Sequence, residues 1–151
     1  EPSIRGLSER TLEHVARVGH GGRLVVVEAR AAVTQQRRHG ERQRKPGAEL
    51  RADVGLAEAE AFAMGRKIRV TKVPFSAAPK ALINNDPRGF VKILSDPATG
   101  VVLGGSIVGR HAAELISVIA LAVTANLKVT DIVESILVHP ALSEALAEAA
   151  V

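Results

Sequence analysis

Cysteine, tryptophan and tyrosine are missing from this 151-residue chain, and phenylalanine occurs three times. Without cysteine there is no disulfide framework, no thiolate metal ligand and no thiol nucleophile. With 2% aromatic residues, the chain has no row of ring faces for stacking single-stranded bases, which argues against that mode of nucleic-acid recognition. No apolar run nears the roughly 18 residues a membrane span needs; the most apolar stretch, residues 115–123, is short and interrupted by Ser117. The start of the chain lacks the charged-then-apolar layout of an export signal. A cytoplasmic protein with no membrane partner is the expectation.

What is present suffices for one domain with a core, alone or with an appendage. Charge is unevenly placed. Residues 1–50 hold ten Lys/Arg against six Asp/Glu and residues 51–151 hold ten of each, so the net +4 sits wholly in the first third. The run Arg37-Arg38-His39-Gly40-Glu41-Arg42-Gln43-Arg44-Lys45 is its densest part. Such a run is either a phosphate-binding patch or a solvated connector. No groove-reading motif accompanies it, which favours the connector. Residues 1–50 are thus expected to be an irregular basic segment, and residues 51–151 an ordered domain.

Within that domain the residue pattern predicts alternating elements. Leu56–Met64 is rich in helix formers and stops at Gly65. Residues 67–75 alternate as a strand ending at Pro74, and residues 77–83 suit a short helical turn. Gly89–Leu94 and Val101–Val108 read as an antiparallel hairpin. Between them, Asp96, Pro97 and Gly100 each suit a turn for a separate reason: self-bonding, preset φ and positive φ. Ala112–Ala125 is helical and apolar nearly all round, which predicts burial on two sides, one of them by a second subunit. Thr130 is the expected N-cap of a helix over 131–137, and Ser143 of one over 144–150.

Several candidate sites fail on spacing. Gly100-Val101-Val102-Leu103-Gly104-Gly105 does not lead from a strand into a helix, so it is a packed strand and not a dinucleotide loop. His14, His20 and His39 lack partners at ligand spacing, so no metal site is expected. His111, with Glu114 three residues on, suits a surface cap.

His139 stands apart. Pro140 gives it a rigid mount, and Glu144 is placed to accept from one ring nitrogen, leaving the other for proton transfer near neutral pH. The competing reading is a packed histidine beside a carboxylate favoured at a helix N-terminus.

Four ordered motifs carry a resemblance: Gly89-Phe90-Val91-Lys92-Ile93-Leu94, Gly104-Gly105-Ser106-Ile107-Val108-Gly109, Ala113-Glu114-Leu115-Ile116, and His139-Pro140-Ala141-Leu142-Ser143-Glu144. With Val54-Gly55-Leu56 through Ala61 they are collinear from about residue 53 to 150. The stretch resembles the C-terminal dimerisation domain of the pyridine nucleotide–disulfide oxidoreductases, which include dihydrolipoamide dehydrogenase and mercuric reductase. The resemblance implies an α+β fold, a largely antiparallel sheet with a central hairpin covered by helices.

It also implies enzymes that use FAD and NAD(P) with a redox cysteine pair, in which this domain lends a histidine to the partner subunit's site. His139 and Glu144 would be that acid–base pair, and His139-Pro140 would approach the partner's flavin, through a peptide bond that before proline can be cis. The partner would be a second copy, or a chain carrying FAD and NAD(P) domains. The chain departs from the family in lacking the GxGxxG fingerprint and any cysteine, and in carrying Ala141 where threonine is usual. A truncated copy, its residues 1–50 a poorly defined remnant of an FAD domain, inactive by itself and binding no cofactor alone, is therefore expected. A non-catalytic dimerisation module is the alternative, and a basic nucleic-acid-binding protein a third.

Overall fold

The computed structural model describes the backbone of residues 12–20, 23–31 and 50–151, with side chains from residue 51 onward. Its centre is one antiparallel sheet of six strands: β1 (Leu12–His20), β2 (Arg23–Ala31), β3 (Leu50–Gly55), β4 (Arg69–Pro74), β5 (Gly89–Ser95) and β6 (Val102–Gly109). Their spatial order is β1-β2-β3-β6-β5-β4. The helices are α1 (Glu58–Ala63), α2 (Pro79–Ile83), α3 (Ala112–Ala125), α4 (Val129–Val133) and α5 (Glu144–Ala150), with a 3-10 turn at Phe75–Ala77. The α+β layout and the β5–β6 hairpin are those expected from the sequence.

Residues 12–20 and 23–31 form strands, where an irregular segment was expected. β1 and β2 pair with each other, and β2 pairs with β3 from Val27 opposite Val54 to Ala31 opposite Leu50. The segment Leu24-Val25-Val26-Val27 is β-branched and free of Pro and Gly, a composition that suits a pleated ladder. The run at 37–45, together with His39, lies outside the described residues.

Registration places alternate residues on one face. Ala52, Ile107, Val91 and Val73 stand in one row across β3, β6, β5 and β4; Val54, Gly105 and Ile93 stand in the next. These rows form the floor of the core, and α3 and α5 cover it through Ile116, Ile119, Ala145 and Leu146. Strand side chains alternate between faces, so Gly104 must face the other side. A Cβ on Gly105 would lie 2.9 Å from Ile119 Cδ1, and one on Gly104 would lie 2.4 Å from the Leu56 carbonyl oxygen. The glycine pair is therefore a packing device, letting α3 and the entry to α1 approach the sheet from opposite sides.

The β5–β6 turn forms as its residues dictate. Asp96 accepts bonds from the backbone N–H groups of Ala98 and Thr99, both at 2.9 Å. The helices end as their residues require. After α1, Gly65 donates to Phe62 and Arg66 donates to Ala61, a closing pair of reversed bonds. Asn85 after α2 and Asn126 after α3 take the same left-handed position. Helix α3 buries Ala112, Ile116, Ile119 and Ala122 and leaves Leu121 63% exposed. Within one chain it is covered on one side. No helix among the described residues is long and apolar enough to cross a membrane.

Candidate functional site

Helix α4 positions the histidine loop. Backbone bonds from Val102 to Leu127 and from Val129 to Gly100 tie the approach to α4 onto the β5–β6 hairpin. The helix starts earlier than the sequence suggests: Lys128, not Thr130, is the N-cap. Asp131 is the reason, since its carboxylate accepts from the Lys128 N–H at 2.6 Å and so satisfies a donor at the helix start. The helix also ends early, at Val133 rather than Leu137, where the Ser135 hydroxyl donates to the Ile132 carbonyl at 2.6 Å. Residues 136–143 are left as irregular chain between two anchors, Ile132 and Leu146, both buried in the core.

His139 and Glu144 meet across this loop. The bond before Pro140 is cis, and His139 Nδ1 lies 2.6 Å from Glu144 Oε1. A carboxylate ionised at neutral pH has no proton to give, so Nδ1–H is the donor. Glu144 Oε2 accepts from the Ala141 N–H at 2.8 Å. The ring's hydrogen bond first, and the Ala141 N–H second, hold the Glu144 carboxyl below its ordinary range. Ser143 occupies the N-cap position expected of it, yet its side chain makes no capping bond. Glu144 performs the local work by reaching back.

The ring is 72% exposed while its carboxylate is 24% exposed. One edge of the imidazole is thus fixed by the fold and the other is presented outward. The loop around it is apolar: Ile136 is fully exposed, Val138 is 74% exposed, and Val133 nearby on α4 is partly so. Sequence reasoning passed over Ile136 and Val138. Their signal was a row of three apolar residues, Ile136-Leu137-Val138, inside a segment too irregular to bury them.

The other candidates do not join this site. His111 takes a left-handed conformation ahead of α3, with Nδ1 3.9 Å from Glu114 and no side-chain cap bond. Its expected place at the helix start is correct, and its expected capping bond is absent. No group of three His, Cys, Asp or Glu that could hold a metal exists among the described residues. The side chains of His14 and His20 lie outside the described residues.

Comparison with known proteins converges on one family. Residues 51–150 match the pyridine nucleotide-disulphide oxidoreductase dimerisation domain. The dihydrolipoyl dehydrogenase of Bacillus subtilis is 41% identical over 99 residues, covering 66% of this chain and 21% of that protein. That of Haloferax volcanii is 41% identical over 97 residues, covering 64% and 20%. Among solved structures, LpdA from Mycobacterium tuberculosis superposes with a TM-score of 0.65 at 34% identity, covering 68% of this chain and 22% of that one. The HOCl-induced flavoprotein disulfide reductase RclA from Escherichia coli gives 0.63 at 31% identity, covering 67% and 23%. The chain therefore spans about a fifth of the length of the relatives it matches.

Proposed function

The chain belongs to the pyridine nucleotide-disulphide oxidoreductases through their dimerisation domain, and on that premise we propose that it supplies half of a disulfide-reductase active site in trans. The observation that carries the proposal is the preformed His139–Glu144 pair, fixed on one edge and open on the other. In the proposed step, Nε2 of His139 takes a proton from a substrate or enzyme thiol, and the S–H electron pair stays on sulfur as thiolate. The imidazolium then faces the Glu144 carboxylate, whose second oxygen the Ala141 N–H keeps in place. The reverse transfer returns the proton to sulfur. Positioned acid–base transfer of this kind contributes about 10²–10⁴-fold.

The resemblance implies that FAD and NAD(P), when bound by such an enzyme, supply its electron transfer. The Gly104-Gly105 pair is filled from both sides by Leu56 and Ile119, so no phosphate could approach its backbone. On this reading FAD and NAD(P) are held mainly by other domains. The contribution of this domain would be His139 and Pro140 held against the partner's flavin, with a homodimer or a cofactor-bearing chain as the partner. Leu121 on α3, Ile136 and Val138 are apolar surface available to such an interface.

A complementation experiment tests this. The chain is mixed with the Bacillus subtilis dihydrolipoyl dehydrogenase whose own corresponding histidine has been replaced. Mixed dimers should regain turnover with the native chain and not with His139→Gln. Mixed dimers without turnover would leave a dimerisation module that does no chemistry; no mixed dimer at all would remove the interface role. A stoichiometric flavin absorbance band from the purified chain alone would contradict the placement of the cofactors.

A further inference from the structure

We propose that Arg69, on strand β4, is a positioning residue for the His139–Glu144 pair, because it holds the far end of the helix that carries the carboxylate. Its guanidinium donates to the carbonyl of Val151, the residue that closes α5. Glu144 opens the same helix and engages the His139 ring and the Ala141 N–H. Arg69 and Val151 are 82 residues apart in sequence, so only the fold brings this cation to the helix end.

Helix α5 needs outside contacts to keep its place. It is seven residues long, about 10 Å from end to end, and a helix that short is not stable alone in water. Its buried residues are Ala145, Leu146, Ala149 and Ala150. Three methyl groups grip a sheet weakly, so Leu146 is the one large side chain on that face to resist a slide or turn across β4 and β5. The orientation about Leu146 is therefore decided at the two ends. One end is the bonding pair itself. The other has no basic residue in its last turn, and residues 129–151 contain neither Lys nor Arg. The last carbonyls of a helix lack partners within it and carry the negative end of its dipole. Arg69 brings both a donor and a positive charge to that end.

Register on β4 puts Arg69 where this contact needs it. Strand side chains alternate, so Arg69 shares a face with Thr71 and with Val73, which packs against the core. That is the face α5 covers. Lys72 lies on the opposite face, over the Phe90 ring, and Arg66 lies 3.9 Å from Asp96 of the hairpin turn, so both are engaged elsewhere. The placement of the ring follows from this geometry alone; only its effect on turnover rests on the proposal that His139 acts in trans.

The test compares the whole ¹⁵N-labelled chain with its Arg69→Gln and Arg69→Lys variants. Arg69 is exposed, so neither change removes a core contact. In Arg69→Gln the preference of the neutral His139 ring for the Nδ1–H tautomer, read from its ¹⁵N shifts, should fall about two- to fivefold, the size of a cation's effect at a helix end. The Ala141 amide should exchange with solvent faster by a similar factor. Arg69→Lys keeps the charge and a donor, and should restore most of the preference. A lower unfolding midpoint in Arg69→Gln with the tautomer ratio and the Ala141 amide unmoved would overturn the proposal, leaving Arg69 a structural contact alone. In the mixed dimers described above, Arg69→Gln should lower kcat about two- to fivefold and leave KM unchanged. A fallen tautomer ratio with unchanged turnover would uphold the positioning of the ring and count against its action in trans.

Discussion

Two loops of this molecule each spend a carboxylate on holding irregular chain in shape, and they spend it differently. In the β5–β6 turn, Asp96 accepts from the backbone N–H groups of Ala98 and Thr99. In the α4–α5 loop, Glu144 accepts from one backbone N–H, that of Ala141, and from the ring of His139. Both carboxyls are held below their ordinary range by the donors they accept from. The Asp96 turn closes on itself and leaves nothing reactive outside. The Glu144 loop puts one bond into a titratable ring whose far nitrogen faces outward, among exposed Ile136 and Val138. A carboxylate closed on backbone N–H groups alone builds shape; one shared with an imidazole also presents a titratable ring.

The comparison breaks most severely where the second loop is rooted. Leu146 is fully buried in the first turn of α5, and Leu146→Ala should cost about 2–5 kcal/mol from lost burial and the cavity left behind. The His139–Glu144 contact should loosen with it, because α5 carries the carboxylate. Urea unfolding followed by circular dichroism measures the first effect, and broadening of the His139 ring signals measures the second. Unchanged stability would mean that the loop does not depend on its anchor.

Next in size is a contrast between the carboxylates themselves. Asp96→Ala removes the acceptor of two backbone donors in the hairpin turn, and should lower the unfolding midpoint measurably. Glu144→Gln keeps an acceptor oxygen for either His139 or the Ala141 N–H, and should lower the midpoint less. Its effect belongs to the ring: the preference for the Nδ1–H tautomer should weaken in the ¹⁵N spectrum of His139. If Glu144→Gln proves the more destabilising change, the loop is a structural closure and the contrast fails.

These two loops also mark how much was legible in the sequence. Asp96-Pro97-Ala98-Thr99-Gly100 was readable because each residue acts within four positions of itself, and local chemistry is what a sequence displays. The pairing of His139 with Glu144 was readable for the same reason, five residues apart with a proline between. The cap of α4 was misread because the residue that satisfies the helix start, Asp131, lies inside the first turn and reaches back to the Lys128 N–H. The contacts of Leu127 and Val129 with the distant hairpin settle which turn the helix begins on. The strands at 12–20 and 23–31 were missed because a basic composition hid a β-branched run whose partner, β3, lies beyond residue 50. The open face of α3 was expected from an apolar pattern on all sides, and in a single chain Leu121 does stand exposed.

Acidification sharpens the comparison further. A carboxyl whose folded value is lowered contributes stability that is present above its unfolded value and lost as pH falls through the folded one. For Glu144 the loss begins below about 4.5, and for Asp96 below about 3.8, the ordinary values from which each is lowered. On descending pH, the carboxyl ¹³C signals of both should titrate below those values. The amides of Ala98 and Thr99 should shift with Asp96, and that of Ala141 with Glu144. The His139 ring should move together with Glu144 and not with Asp96. A ring signal indifferent to the Glu144 titration would separate the two groups and remove the pair as a unit.

The smallest effect on folding should come from the residue with the most to say about the site. Ile136 is fully exposed, so Ile136→Ser removes no core contact and should change stability by no more than about 0.5 kcal/mol. If the apolar rim of the His139 loop lies in an interface, the same change should weaken self-association or mixed-dimer formation by about tenfold, read by sedimentation across a concentration series. A matched change at the other loop, Thr99→Val, alters an exposed turn residue and should leave association untouched. Equal effects of the two on association would mean that the apolar rim is incidental, and that the loops differ in chemistry alone.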